Sequence, residues 1–416
     1  MSQVGLECKL ARNYTMENVE RAQALLLVKA IPDKTIDFGV LPLNIVVVID
    51  ISGSMSGEKI EFAKEAACLV VDSVSEQDWI AVTVFDDEAQ VIVPSRKADD
   101  KGAIKSHIRR IETEDGTCMY TGMRAGAREI AKQASRSNLS RMLLLTDGQT
   151  VGEDECLDIA RREAKNKLVI STFGIGDDYN EDLLKDIAEV ALGGAYHLQD
   201  PRQIKDQFKT ELETATATGI TRASLTFQLA KGVTLEELHR ITPHIARLEL
   251  HPADERTMAA DVGDLEKSEV TTLGAKLTLP SRQSSRVRVA QVTLRYDIPS
   301  LEVRESIERH DVVVEYTRDR DLCGKVDSEV MHYFNQMSVQ GLVEEATRDA
   351  KAGNIAGATQ KLAQAQMLTQ RIGNVAMTVS LKQAMDELEK KGTISAGAVK
   401  TIRLGSTHTV RLEETS

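Results

Sequence analysis

The sequence predicts an α/β fold: a doubly wound, mostly parallel sheet inserted in an antiparallel β-sandwich, with a C-terminal helical bundle. Three observations carry that expectation. Residues 45–49 (IVVVI) are an almost wholly β-branched run, the pattern of a strand buried on both faces of a parallel sheet. From Gly219 the rhythm changes to strand-like runs, several with period-two alternation, and no long amphipathic helix separates them. Beyond Leu322, apolar residues return to helical spacing in stripes that end at glycines.

In chain order, residues 4–10 and 24–30 are strand-like with a polar turn between them. They and the later strands flank the α/β region, so the two sets are expected to pack together as one sandwich. After Pro42, strand 45–49 leads to a helix over 58–74 with Ile60, Ala63, Ala67, Val70 and Val74 on one face. Strand 79–85 and an edge strand at 90–93 follow. Helix 101–111 presents Ile104, Ile108 and Ile111, and helix 121–134 presents Met123, Ala127, Ile130 and Ala134. Strand 142–146, a helix near 155–165, strand 168–173, a helix carrying Leu183, Leu184 and Ile187, and strand 195–199 complete the alternation. Asp200 and Pro201 then open a helix bearing Ile204, Phe208 and Leu212, with proline at its first position. Gly174-Ile175-Gly176 lacks a GxGxxG or GKS continuation and is a weak phosphate-loop signal.

The sandwich strands are expected at 220–230, 245–251, 269–279, 286–296 and 311–316. Three helical stripes follow, the first from Val330, Phe334 and Met337 to Ala350, the second from Ile355 to Leu368, the third from Val375 to Leu388. The segment EATRDAKAGNIAGATQKLAQA is similar to a tetratricopeptide-type hairpin, but one hairpin is not an array, and a small bundle is expected. The domains therefore read as 1–40 (strands joining the sandwich), 41–217 (α/β), 218–321 (sandwich), 322–392 (helical) and 393–416 (flexible tail). Thr401, Thr407 and Thr409, near Lys400, Arg403 and Arg411, suit a basic-directed Ser/Thr kinase and a phosphothreonine reader as partners at that tail.

Composition is that of an ordinary globular protein, 42% hydrophobic and 28% charged over 416 residues, enough chain for two or three domains. A net charge of -12 argues against a nucleic-acid surface. No early segment pairs a basic region with an apolar core, and no apolar run approaches a membrane span, so no membrane partner and a cytoplasmic location are expected. Cys8, Cys68, Cys118, Cys156 and Cys323 are odd in number, scattered and without CxxC spacing, which favours reduced thiols. Cys118 reads as a small buried hydrophobe, with redox sensitivity the alternative.

The chemistry is concentrated after strand 45–49. Asp50, Ser52 and Ser54 place a carboxylate and two hydroxyls at alternate positions, and Gly53 permits a tight turn between them. In open α/β sheets, ligands bind beyond the carboxyl ends of the strands. Oxygen-bearing side chains there suit a hard divalent cation, with Mg2+ expected and Mn2+ or Ca2+ as alternatives. Strand 142–146 ends at Asp147-Gly148, and the loop EDGTCMY offers Thr117 after a glycine. Two carboxylates offset the ion's charge only formally, leaving the metal electrophilic towards an incoming carboxylate. The plainer alternative is that Asp50, Ser52 and Ser54 cap the next helix.

DISGSM, then GT, then LLLTDG, in that order, resembles the von Willebrand factor A domain of the bacterial multidomain type, over about residues 43–212. The resemblance implies a metal-ion-dependent adhesion site. In it Asp50, Ser52 and Ser54 match the DxSxS element, Thr117 the isolated threonine and Asp147 the second aspartate. It further implies that the hydroxyls bind the metal directly, the aspartates directly or through water, and that a partner's Asp or Glu completes the shell. Asp115-Gly116 replaces the two glycines of many bacterial relatives. The layout is also similar to that of the inter-alpha-inhibitor heavy chains.

The expected function is therefore a non-catalytic, divalent-metal-dependent protein-interaction module or adaptor. One alternative, drawn from the resemblance, is an adaptor subunit for an AAA+ ATPase or a Ser/Thr kinase-phosphatase signalling system. The other is a metal-dependent hydrolase. No enzyme activity is expected, because no His or Lys lies within the motif stretches as an acid/base partner, and His107, His197, His239 and His310 are isolated. Asp86-Asp87-Glu88 reads as a solvated turn that adds charge near the site.

Overall fold

The computed structural model describes residues 3–407 and 409–410. The chain divides into two units. One contains Phe38–Gly219 with Pro299–Leu301; the other contains the residues up to Asp37, Ile220–Ile298 and the chain from Glu302.

The chain begins in the second of these with β1 (Val4–Leu10), β2 (Tyr14–Met16) and β3 (Ala22–Pro32). It then builds the α/β unit as β4 (Leu43–Asp50), α1 (Glu58–Ser73), β5 (Trp79–Phe85), β6 (Ala89–Lys97), α2 (Lys101–Arg109), α3 (Met119–Ala131), β7 (Leu139–Thr146), α4 (Glu153–Lys165), β8 (Val169–Ile175), α5 (Glu181–Val190), β9 (Leu192–Leu198) and α6 (Ile204–Ala217). Strand order is β6-β5-β4-β7-β8-β9, parallel throughout except for the edge strand β6, which runs antiparallel to β5.

Every residue of β4 is buried, because the sheet is covered on both faces. Leu43, Ile45, Val47 and Ile49 pack with Ile60 and Val70 of α1, Ile104 of α2 and Phe208 of α6. Val46 and Val48 point the other way, into the cluster with Met123 of α3, Ile159 of α4 and Leu183 of α5. Strand period and helix period thus meet in two cores, which makes the fold doubly wound. Asp200 caps a short 3-10 turn, Pro201–Gln203, so the helix expected from Pro201 begins at Ile204. Gly174 lies under the Tyr179 ring, where an added Cβ would come within 2.3 Å of it, so this glycine serves packing.

The other unit resumes with β10 (Thr218–Leu229), β11 (Thr234–Arg240), β12 (Ala246–Arg247), β13 (His251–Asp254), β14 (Thr257–Glu266), β15 (Thr271–Leu279), β16 (Ser285–Ile298) and β17 (Val303–Thr317). Its sheets run β1-β3-β15-β11-β12 and β13-β14-β10-β16-β17-β2. β3 pairs antiparallel with β15, from Ala22 opposite Leu279 to Ala30 opposite Thr271, which joins the N-terminal strands to sequence more than two hundred residues away. Two expectations are corrected here. The strand expected at 245–251 is split into β12 and β13, and β2 joins β17 in parallel, whereas β13-β14, β10-β16 and β16-β17 pair antiparallel.

His239 on β11 is mostly buried, and desolvation pushes its imidazole down to about 4. A lowered histidine favours the neutral form in the folded state. Its contribution is full above the unfolded value of about 6.5 and is lost as pH falls through 4. Between pH 7 and 4, the wild type is expected to lose on the order of 3 kcal/mol more than His239→Gln, measured by urea unfolding at each pH.

The helices are α7 (Arg320–Gly324), α8 (Ser328–Lys351), α9 (Ile355–Arg371), α10 (Val375–Lys391) and α11 (Ala396–Gly405). Their starts are capped: Asp327 Oδ1 accepts from Glu329 N at 3.0 Å, Asn354 Oδ1 from Gly357 N at 3.1 Å and Asn374 Oδ1 from Met377 N at 3.0 Å. Val343, Leu362, Leu381 and Ile402 meet in their shared core. The flexible tail expected at 393–416 is corrected over its described part; residues 408 and 411–416 lie outside the described residues. Residues 396–405 are helical, with Val399, Ile402 and Leu404 buried. Thr407 is also buried and donates to Leu404 O, whereas Arg411, invoked for kinase recognition, lies outside the described residues. Gly341 is exposed inside α8, with open space where an alanine methyl group would stand, so Gly341→Ala is expected to stabilise the protein by roughly 0.5–1 kcal/mol in thermal or urea melts.

Candidate metal centre

β4 and β7 are adjacent parallel strands, so their carboxyl ends deliver Asp50 and Asp147 to one edge of the sheet. Both carboxylates are buried, Asp50 at 0% and Asp147 at 1% exposure. After Asp50 the chain makes a 3-10 turn, Gly53–Met55, and reaches α1 through Gly57, whose φ of +82° favours glycine. Neither Ser52 nor Ser54 caps a helix. The N-cap of α1 is Gly57, and Ser52, which precedes the 3-10 turn, makes no side-chain cap bond. The capping alternative is thereby corrected, and both hydroxyls are left for other work.

Four of the five expected residues form one hydrogen-bonded cluster. Ser52 Oγ lies 3.1 Å from Ser54 Oγ, and Ser54 Oγ donates to Asp147 Oδ1 at 2.7 Å. Asp50 Oδ1 accepts from Ser52 N at 2.8 Å, and Asp50 Oδ2 accepts from Thr146 Oγ1 at 2.5 Å. Thr117 stands on the neighbouring loop, and its hydroxyl donates to Gly116 O at 2.8 Å instead of joining the cluster. That loop is held alongside: Glu114 N donates to Ile51 O at 2.7 Å, and a Cβ on Gly53 would lie 3.2 Å from Asp115 Oδ1. Cys118 N donates to Asp86 O at 2.6 Å, and Gly116, with φ of +104°, leaves no room for a side chain beside Asp87. The acidic turn therefore braces the threonine loop. Cys118 itself is buried.

Burial holds the Asp50 carboxyl above its usual range, an effect that bonds from Thr146 and Ser52 oppose and the nearby Asp147 charge reinforces. Two residues here were missed from sequence. Thr146 fixes Asp50, and its only signal was its place just before Asp147. Lys59, on the first turn of α1, pairs through Nζ with Asp147 Oδ2. The motif stretches themselves hold no lysine, as expected from sequence, but Lys59 lies five residues beyond Ser54 and its ammonium reaches Asp147 from the first turn of α1. The histidines sit elsewhere. The His107 ring contacts Ala103 O, His197 contacts Tyr179 OH, and His239 and His310 lie on β11 and β17.

The donor set fits a hard cation. Its side chains offer carboxylate and hydroxyl oxygens, with no nitrogen or sulfur ligand, which suits Mg2+, Mn2+ or Ca2+ over zinc or copper. Among the described residues no group of three or more His, Cys, Asp or Glu is placed to hold a metal.

Residues 44–210 match the von Willebrand factor type A domain model, and residues 328–412 match the Sll0103-like C-terminal alpha-helical domain model. The chain is 30% identical over 265 residues to protein sll0103 of Synechocystis, covering 62% of this chain and 63% of that protein. It is 28% identical over 175 residues to YfbK of Escherichia coli, covering 41% of this chain and 30% of that one. The chain thus spans less than two thirds of the length of these relatives. The solved structure of a von Willebrand factor type A protein from Catenulispora acidiphila superposes with a TM-score of 0.85 at 20% identity, covering 99% of this chain and 97% of that one, a likeness of fold. Sequence match and strand order agree, and the chain carries a von Willebrand factor type A domain at residues 44–210.

Proposed function

We propose that this chain is a non-catalytic adaptor that grips a protein partner through a divalent cation. Asp50, Ser52, Ser54, Thr117 and Asp147 would hold the ion, and an Asp or Glu of the partner would complete its shell. The observation that carries this reading is the cluster in which the hydroxyls of Ser52 and Ser54 lie side by side and Ser54 donates to Asp147, both free of any capping role. When bound, the cation supplies an electrophilic point for a carboxylate oxygen. The protein's own part is to hold the oxygens in place: Thr146 and Ser52 N fix the two oxygens of Asp50, and Ser54 fixes one of Asp147. Thr117, whose hydroxyl donates to Gly116 O, would have to turn away from that carbonyl to join the shell.

The sandwich and helices then act as a scaffold. Among the described residues no helix is long and apolar enough to cross a membrane. Affinity capture from native lysate, run in Mg2+ and in EDTA, tests the proposal. A partner retained in Mg2+ and released by EDTA is the expected result; equal recovery in both would overturn it. Recovery of an ATPase or a kinase would give the adaptor its biological setting.

A further inference from the structure

Lys59 has no place in the proposed ligand set, yet it makes a charge-neutralising contact at the site. Its ammonium meets Asp147 Oδ2, while Ser54 Oγ occupies Asp147 Oδ1. The Asp147 side chain is fully shielded from solvent, whereas that of Lys59 is 31% exposed, so the lysine reaches the carboxylate from the solvent side. Asp50, equally buried, brings a second carboxylate to the same edge of the sheet. Taking carboxylates out of water is costly unless a cation or strong donors replace the lost hydration. Asp50 has the Thr146 hydroxyl and the Ser52 amide; Asp147 has one hydroxyl and Lys59.

We propose that Lys59 is a tethered counter-ion that holds the metal-free centre together and weakens divalent-cation binding by competing for Asp147. This rests on the metal-binding reading above. An arriving cation finds Asp147 already paired with a positive charge. Whether the ammonium is displaced into solvent or endures the like charge, part of the binding free energy is spent on it. A flexible lysine stem and a solvent-side approach make displacement feasible without moving the backbone. The same contact would keep the buried carboxylates from opening the site when no metal is present.

The test is calorimetric titration of MgCl2 into the full chain and into Lys59→Gln and Lys59→Arg, with thermal melts of each in EDTA and in Mg2+. Lys59→Gln is expected to bind Mg2+ about tenfold more tightly than wild type, to melt lower in EDTA and to regain stability in Mg2+. Lys59→Arg, which keeps the charge, is expected to stay near wild type. A Lys59→Gln protein that folds only with Mg2+ supports the proposal equally. Unchanged or weaker Mg2+ affinity in Lys59→Gln, the same loss of melting temperature with and without Mg2+, failure to fold in either, or Lys59→Arg behaving as Lys59→Gln would overturn it. If neither wild type nor Lys59→Gln takes up Mg2+, the metal reading fails and this proposal with it, an outcome distinct from a lysine without effect on measurable binding.

Discussion

Ser52→Ala combined with Ser54→Ala is expected to weaken Mg2+ binding by on the order of 100-fold while the domain stays folded. The two hydroxyls supply two of the three neutral oxygens in the proposed centre, and alanine offers nothing in their place. Their structural role is small. Ser54 contributes one bond to Asp147, Ser52 holds Asp50 mainly through its backbone N–H, which alanine retains, and neither caps α1. Losing the Ser52–Ser54 contact costs about 1 kcal/mol, and losing the Ser54 bond to the Asp147 carboxylate about 1.5–3 kcal/mol. Calorimetric Mg2+ titration beside a urea melt separates the two effects. Near-wild-type Mg2+ affinity in the double variant would remove the serines from the site.

Gly193→Ala is expected to cost roughly 3 kcal/mol or more, read as a lower urea midpoint. β9 enters its pairing with β8 through a register shift, in which Ile170 is opposite Leu192 but Thr172 is opposite Ala195. Leu192 adopts a left-handed φ of +58°, and the next residue drops against the partner backbone. A Cβ at Gly193 would sit 2.1 Å from Ile170 O, a main-chain atom that cannot move aside without opening the ladder. Unchanged stability in Gly193→Ala would mean that β9 pairs in another register.

The α/β unit was legible because its buried strands are rich in apolar residues and most of its helices show a stripe; β4, buried along its full length, is the plainest case. β11 and β14 escaped because their inward residues, Leu235 and Leu238 on one and Ala260, Val262 and Leu265 on the other, are interrupted by Glu236, Glu237, Asp261 and Asp264. α11 escaped because Gly397, Thr401 and Gly405 dilute its pattern, and burial of Val399, Ile402 and Leu404 in tertiary contacts overrides weak local preference. At the centre, the order of motifs marked the five oxygen-bearing residues, but spacing alone could not reveal that Lys59 would turn back onto Asp147 or that Thr146 would clamp Asp50. Such contacts depend on where the first turn of α1 lies relative to β7, which only the assembled sheet determines.

Diffraction from crystals soaked in MnCl2 would show whether a cation sits at Asp50 and Asp147, because the anomalous signal of manganese locates the ion without reference to any assumed ligand. One strong peak is expected at the carboxyl ends of β4 and β7, about 2.2 Å from the hydroxyl oxygens of Ser52, Ser54 and Thr117, with Asp50 and Asp147 bound directly or through water. Manganese bound elsewhere, or a peak at this edge from which the Thr117 hydroxyl stays turned to Gly116 O, would contradict it.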